Sequence, residues 1–165
     1  DGNLVDENGN QIGSTLWKKW KFDEYARKKW KNNSDTITDL IQNINYVTGA
    51  TVAFKSELKS HIFPFETPVR YWHDAWIALN AAYFGGLYYL EMATIDYRIH
   101  AEQLIGINTQ NKTVDKKHIS LKKFKKILFR KFPEYSDEIA KLPQEKSFLN
   151  RLTKQIRKYF INFHT

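Results

Sequence analysis

The sequence of 165 residues contains no cysteine. Disulfide bonds and thiolate metal sites are therefore excluded, and the composition fits a reducing compartment, so we predict a cytoplasmic location. Proline and glycine are also scarce, with four and seven residues, which argues against a loop-rich or fibrous chain. The 42% of hydrophobic residues are enough to build one buried core.

Long apolar runs without charge are missing as well. The most apolar stretch, residues 75–90, contains Asn80 and is flanked by Asp74 and Glu91. It is shorter than the about 20 residues that a membrane-spanning helix needs. This pattern predicts a buried core helix and no membrane partner.

The sequence motifs of several enzyme classes are absent too. There is no nucleophile elbow, no glycine-rich phosphate loop and no HExxH pair. Asp96 and His100 are four residues apart, but the sequence has no second pair of this kind, so an ion pair on a helix surface explains them better than a metal site. We therefore predict no metal site and no cofactor.

The periodicity of the apolar residues predicts an all-α fold, a single bundle of about five to six helices with a long central helix. The predicted helices cover residues 15–32, 35–48, 68–105 (the central helix), a short stretch from Ser120 that Pro133 ends, 135–141, and 145 to the last residue. Residues 50–62 form another helix or extend the second one. Asn8-Gly9 is a turn signal between apolar residues, so residues 1–14 form a short hairpin or a flexible lead-in. Residues 15–165 then form a single helical domain.

Positive charge is in excess, with a formal net charge of +8. A basic domain attracts polyanions, above all nucleic acid. The densest positive segment, residues 116–131, holds eight Lys or Arg and no acid. These predicted binding residues are Lys116, Lys117, Lys122, Lys123, Lys125, Lys126, Arg130 and Lys131. The alternative is a charged surface that only keeps the protein in solution.

The first predicted helix also mixes aromatic and basic residues. Its aromatic members are Trp17, Trp20, Phe22, Tyr25 and Trp30, and the same segment holds seven Lys or Arg, six of them between Trp17 and Trp30. This composition is typical of single-strand binding by stacking and charge. The other interpretation, which we favour, is an amphipathic helix whose tryptophans face the core.

The last predicted helix carries polar residues at intervals of seven. Asn150, Arg157 and His164 would lie in one row beside an apolar stripe. A histidine with a pKa near neutrality can move protons to and from a ribose hydroxyl or a leaving oxygen. A guanidinium can hold the phosphate and offset its charge. This pair could therefore cleave RNA without a metal, with Asn150 as an additional binding residue.

Residues 157–164, with the sequence RKYFINFH, form an Arg-x6-His element on the last helix of a basic helical domain. This element resembles the hallmark of the HEPN superfamily, Arg-x4–6-His. The resemblance implies a small helical bundle, a metal-independent endoribonuclease or an inactive relative, and a role in a defence or toxin system. It also implies a homodimer that acts on RNA. Arg157 would contact phosphate and His164 would be the general acid and base.

Two other functions fit the same sequence. The first is a non-catalytic nucleic-acid-binding helical module, which would use residues 116–131 and the first predicted helix. The second is a protein–protein interaction bundle whose basic face meets an acidic partner.

Overall fold

The computed structural model describes residues 1–42, 46–67, 73–100 and 121–142. Over these ranges the protein has seven α-helices, three short 3-10 turns and one three-stranded sheet. The fold is therefore α+β, and the predicted all-α bundle is wrong. The helices are α1 (Leu16–Trp20), α2 (Glu24–Arg27), α3 (Asn33–Gln42), α4 (Lys59–Ile62), α5 (His73–Phe84), α6 (Leu121–Lys131) and α7 (Ser136–Ala140). The strands are β1 (Asn3–Val5), β2 (Gln11–Thr15) and β3 (Asp96–Arg98).

The predicted turn at Asn8-Gly9 joins β1 and β2 into an antiparallel hairpin. Gly9 has a φ of 89°, a left-handed conformation that favours glycine. The Asp6 carboxylate accepts hydrogen bonds from the backbone N–H groups of Asn8 and Asn10 and from the Asn10 side chain. These bonds, above all the one from the Asn10 side chain, lower the pKa of Asp6. Of the two predicted forms of residues 1–14, the structure has the hairpin.

The sheet also contains a strand from the segment that we predicted as central helix. β3 pairs in parallel with β1, so that Leu4 lies opposite Tyr97 and β1 is the middle strand. Leu4, Leu16 and Ile99 form a small buried cluster beside this sheet. Asp96 lies in β3, so the helical ion pair predicted for Asp96 and His100 is also wrong.

The central helix is much shorter than the predicted 68–105. Within the described residues α5 starts at His73, and it ends at Phe84. The backbone N–H groups of Gly85 and Gly86 both donate to the Ala81 carbonyl, at 2.9 and 2.7 Å. Gly86 then takes a φ of 94°, which leaves the right-handed helix. The apolar residues after Gly86 belong to a loop rather than to the helix.

The main core surrounds α5, which is buried on all sides from Ala75 to Ala82. Helices α3 and α4 pack on it directly, and α6 meets it where Phe124 approaches Trp76, with ring centroids 6.3 Å apart. The Trp76 indole N–H donates to the Ile62 carbonyl at 2.7 Å, which fixes α4 to α5. The first ten residues of the apolar stretch, 75–84, therefore lie in a core helix, as predicted, whereas residues 85–90 are not helical.

The first predicted helix, residues 15–32, is two short helices instead of one. Lys21 has a φ of 56° and ends α1. Asp23 then begins α2, because its carboxylate accepts a hydrogen bond from the Ala26 N–H at 2.9 Å. The break turns Phe22 into the interior, where it is buried.

Candidate nucleic-acid interface

Helix α6 has one apolar face and one basic face. Phe124, Ile127 and Leu128 are spaced three and four residues apart and are buried, as predicted. The helix contains no acidic residue. The basic side chains divide into four that are exposed and two that are half-buried. The exposed ones are Lys122, Lys123, Lys126 and Arg130, and the half-buried ones are Lys125 and Lys131.

The two half-buried lysines point back into the protein. Lys125 Nζ donates to the carbonyls of Ala140 and Leu142, at the end of α7. Lys131 Nζ donates to the His61 carbonyl and lies 4.6 Å from the centroid of the Trp76 ring. Burial lowers the pKa of Lys131. Both side chains stabilise the fold, so the prediction that they bind a polyanion receives no support from their positions.

Arg130 is exposed and forms an ion pair. Its Nη2 atom lies 3.2 Å from both carboxylate oxygens of Glu66, whose side chain is half-buried. One nitrogen shared between two oxygens is a weaker arrangement than two parallel bonds. The pair attaches the loop after α4 to the outer face of α6, and its charges are mutually neutralised.

Lys122 and Lys126 are both exposed and lie on one face of α6. They lie four residues apart, one helical turn, so they project from the same face about 6 Å apart along the axis. Neither forms an ion pair with the part of the chain that the structure describes. Lys123 is exposed beside them. This cationic face, defined as Lys122, Lys123 and Lys126, is what remains of the predicted patch within α6.

The other predicted site residues lie outside the described residues. These are Lys116 and Lys117 at the start of the basic segment and Asn150, Arg157 and His164 in the last predicted helix. Their roles stay predictions.

The aromatic residues of the first predicted helix mostly face inward, the interpretation favoured from the sequence. Phe22 packs against Trp30 and against Trp17, with ring centroids 4.8 and 5.2 Å apart. The Arg27 guanidinium lies 4.9 Å from the Trp17 ring centroid and pairs with Glu91 at 3.3 Å. These rings therefore form a cluster beside the half-buried guanidinium of Arg27. Tyr25 is the exception, since its side chain is exposed.

Asp74 is a partly buried carboxylate that the sequence did not single out as important. It accepts hydrogen bonds from the Ala75 N–H at 2.8 Å and the Gly49 N–H at 3.2 Å. Burial raises its pKa, and these bonds and the neighbouring His73 oppose the rise. The Asp74 charge in turn contributes to the raised pKa of Tyr97, after burial. These contacts hold the turn at Gly49–Thr51 against the start of α5.

Exposed aromatic rings lie next to α6, and sequence periodicity gave no sign of them. His61 stacks on Phe84 with ring centroids 3.7 Å apart and an interplanar angle of 18°. Phe63 and Phe65 meet edge to face with centroids 4.7 Å apart. We call these four residues the aromatic platform. The exposed fraction of the side chain is 50% for Phe63, 42% for Phe65 and 39% for Phe84.

The described ranges contain no group of three or more His, Asp or Glu residues that could hold a metal ion. None of the helices in these ranges is both long enough and apolar enough to cross a bilayer.

Comparison of the chain with protein-family models, with curated proteins and with solved structures gives no match. We therefore infer a function from the geometry of the chain itself.

Proposed function

We propose that the protein binds nucleic acid, RNA in particular, through the cationic face of α6. The observation that carries this proposal is the division of the α6 lysines. Lys125 and Lys131 bond internal carbonyls, whereas Lys122 and Lys126 extend into solvent one turn apart on a helix with no acid. Two exposed lysines one turn apart, on a helix whose own sequence contains no acidic residue, suit a chain of phosphates, whose binding releases condensed counterions.

Binding does not require cleavage. The Arg157–His164 pair, and with it membership of the HEPN superfamily, remains a separate sequence-based hypothesis for a catalytic step on the bound RNA. The three-stranded sheet departs from the all-helical architecture on which part of that resemblance rests. The proposed binding face consists of α6 residues alone, so binding through it does not depend on Arg157 or His164.

The test is the salt dependence of RNA binding by the double variant Lys122→Gln/Lys126→Gln. Each phosphate contact on a single strand contributes about 0.7 to the slope of log K against log salt, so the loss of two contacts should lower the slope by roughly 1.4. Fluorescence anisotropy with a labelled RNA of about 20 nucleotides, longer than a typical single-strand site, measures it.

The matched control is Lys28→Gln/Lys29→Gln, which removes the same charge from two exposed lysines of the α2 region. Its slope should stay close to that of the unaltered protein. An equal fall in slope for both double variants would mean that net charge, rather than the α6 face, binds RNA. If the unaltered protein does not bind RNA even at low salt, the proposal is wrong, and an acidic protein partner becomes the better hypothesis.

A further inference from the structure

The segment that carries the aromatic platform is anchored at its centre. Ile62 is fully buried, and its carbonyl accepts the Trp76 indole N–H at 2.7 Å. His61 and Phe63 flank this anchor directly in sequence. Because Ile62 occupies the inward position, the neighbouring rings lie toward the surface.

Two contacts join this segment to α6. Arg130 Nη2 pairs with Glu66, the residue after Phe65, and Lys131 Nζ donates to the His61 carbonyl. Phe129 lies one residue before Arg130 and is also exposed. The platform is therefore adjacent to the C-terminal end of α6, and the cationic face occupies the N-terminal half of the same helix.

The platform rings are not needed to fill the core. The interior beside them is occupied by Trp76, Phe124 and Phe132, which are fully buried. These exposed rings lie at one end of the helix whose other half carries the cationic face, and clustered exposed apolar side chains are a feature of binding sites. The arrangement combines two elements of single-strand recognition, a charged surface for the backbone and aromatic rings for the bases.

We propose that the aromatic platform stacks the unpaired bases of a single-stranded nucleic acid whose phosphates lie along the cationic face of α6. This inference rests on the proposed function and adds the form of the substrate. The bases of a duplex are stacked on one another and their faces are inaccessible to side-chain rings, whereas every unpaired base offers a flat face. The protein should therefore prefer single strands and show little base specificity.

The test compares three probes of the same length, about 20 nucleotides, which exceeds a typical site: oligo(U) RNA, oligo(dT) DNA and an RNA duplex. The unaltered protein should bind both single strands more tightly than the duplex. The double variant Phe63→Ala/Phe65→Ala should lose at least about fivefold in affinity for the single strands, the lower limit for one stacked base. Its affinity for the duplex should not change.

Two variants keep the result specific. Phe63→Leu/Phe65→Leu retains apolar side chains without flat rings and should lose nearly as much single-strand affinity as the alanine pair. Because leucine still fills apolar space, the leucine pair also distinguishes a loss of stacking from a loss of stability. Thermal melting measures the stability of each variant. Tyr25→Ala removes an exposed ring that is 75% accessible on α2 and should leave all three affinities unchanged.

The failures of the two proposals are distinguishable. If Lys122→Gln/Lys126→Gln weakens RNA binding while the phenylalanine variants bind like the unaltered protein, the α6 face binds RNA and the platform inference is wrong. Full affinity in the leucine pair, or an equal loss in Tyr25→Ala, would also overturn it. Binding to only one of the two single strands would contradict a mechanism that reads only the faces of bases.

Discussion

The phenol oxygen of Tyr83 lies 2.6 Å from Oε2 of Glu134. The bond joins the end of α5 to the turn that follows α6. The Tyr83 ring also packs edge to face against Phe84 and Phe132, with centroids 4.8 Å from each. Tyr83 therefore connects Phe84, one ring of the aromatic platform, with the residues that directly follow α6.

We expect the pKa of Tyr83 to lie above the ordinary range of a tyrosine. The hydrogen bond to Glu134, followed by burial, raises the pKa of Tyr83 from 10.0 to about 12, and the same bond lowers the pKa of Glu134 below 4.5. A spectrophotometric titration of the phenol groups should contain the Tyr83 group near pH 12. That group should disappear in Tyr83→Phe and persist in Tyr25→Phe.

The same bond predicts how stability depends on pH. A raised tyrosine pKa means that the contribution is complete below pH 10.0 and is lost as the pH rises through about 12. The lowered pKa of Glu134 means that the stabilising contribution of the bond is present above pH 4.5. This contribution is lost as the pH falls through the folded-state pKa of Glu134. The melting temperatures of Tyr83→Phe and the unaltered protein should therefore differ most between these limits. A difference that is constant from acid to strong alkali would contradict the assignment.

Lys131 should contribute to stability and Lys126 should not. Replacing Lys131 with methionine keeps the apolar stem but removes the ammonium that bonds the His61 carbonyl and lies over Trp76. We expect Lys131→Met to lower the free energy of unfolding by about 1–2 kcal/mol. Lys126→Met, at an exposed position of the same helix, should change it by less than about 0.5 kcal/mol. Urea denaturation measures both, and equal effects would contradict the division of the α6 lysines.

Asn80 should not tolerate a negative charge. It is fully buried, and its Nδ2 atom donates to the Trp76 carbonyl at 2.7 Å. Among the described residues its Oδ1 atom has no partner. Asn80→Asp removes the donor and buries a carboxylate without a counter-charge, so we expect a loss of about 3 kcal/mol or more at neutral pH.

The pH dependence of this variant provides its control. Burial raises the pKa of a carboxyl group, so the destabilisation caused by Asn80→Asp should diminish as the pH falls and the group becomes neutral. Asn80→Ala, which introduces no charge, should be destabilised to a similar extent at neutral and at acidic pH. If Asn80→Asp is as stable as the unaltered protein at neutral pH, the expectation of an uncompensated buried charge at this position is wrong.

The catalytic hypothesis from the sequence is tested by His164→Ala. If Arg157 and His164 cleave RNA, cleavage should continue in the presence of EDTA and give products that end in a cyclic phosphate. Loss of a general acid or base should slow it by about 10²–10⁴-fold, with RNA binding retained. His73→Ala, which alters an exposed histidine of α5, is the control. Cleavage that stops in EDTA would contradict the metal-independent mechanism.

Local sequence signals predicted the elements that depend on neighbouring residues. The N-terminal turn at Asn8-Gly9 is present, and so are α6 and α7 on either side of Pro133. Each has a chemical signal within a few residues: a glycine with positive φ, apolar residues at helical spacing, or a proline that cannot continue a helix.

The sheet could not be predicted in the same way. β3 is stabilised by pairing with β1, more than 90 residues away in the chain (Leu4 lies opposite Tyr97), and no local pattern contains that contact. The apolar residues after Gly86 continue the composition of α5, so hydrophobicity alone extended the predicted helix beyond its true end at Phe84. The break of the first helix at Lys21 has no glycine or proline to announce it.

The candidate site was predicted only in part. The sequence located the basic helix and its buried face, but it gave the same weight to all six of its cations. Which lysines turn inward depends on the carbonyls at His61 and Leu142, which come from other segments. The aromatic platform was missed because its rings lie in an irregular segment and at a helix end.

The order of the sheet has a consequence for how the chain acquires its fold. The central strand, β1, is formed by residues 3–5, and one of its two partners is β3 at residues 96–98. During synthesis the hairpin with β2 can form early, but the edge that receives β3 stays open until all of α5 has emerged. Contacts of such large sequence separation slow folding. A truncation that removes β1 would deprive both outer strands of their only neighbour within the described sheet.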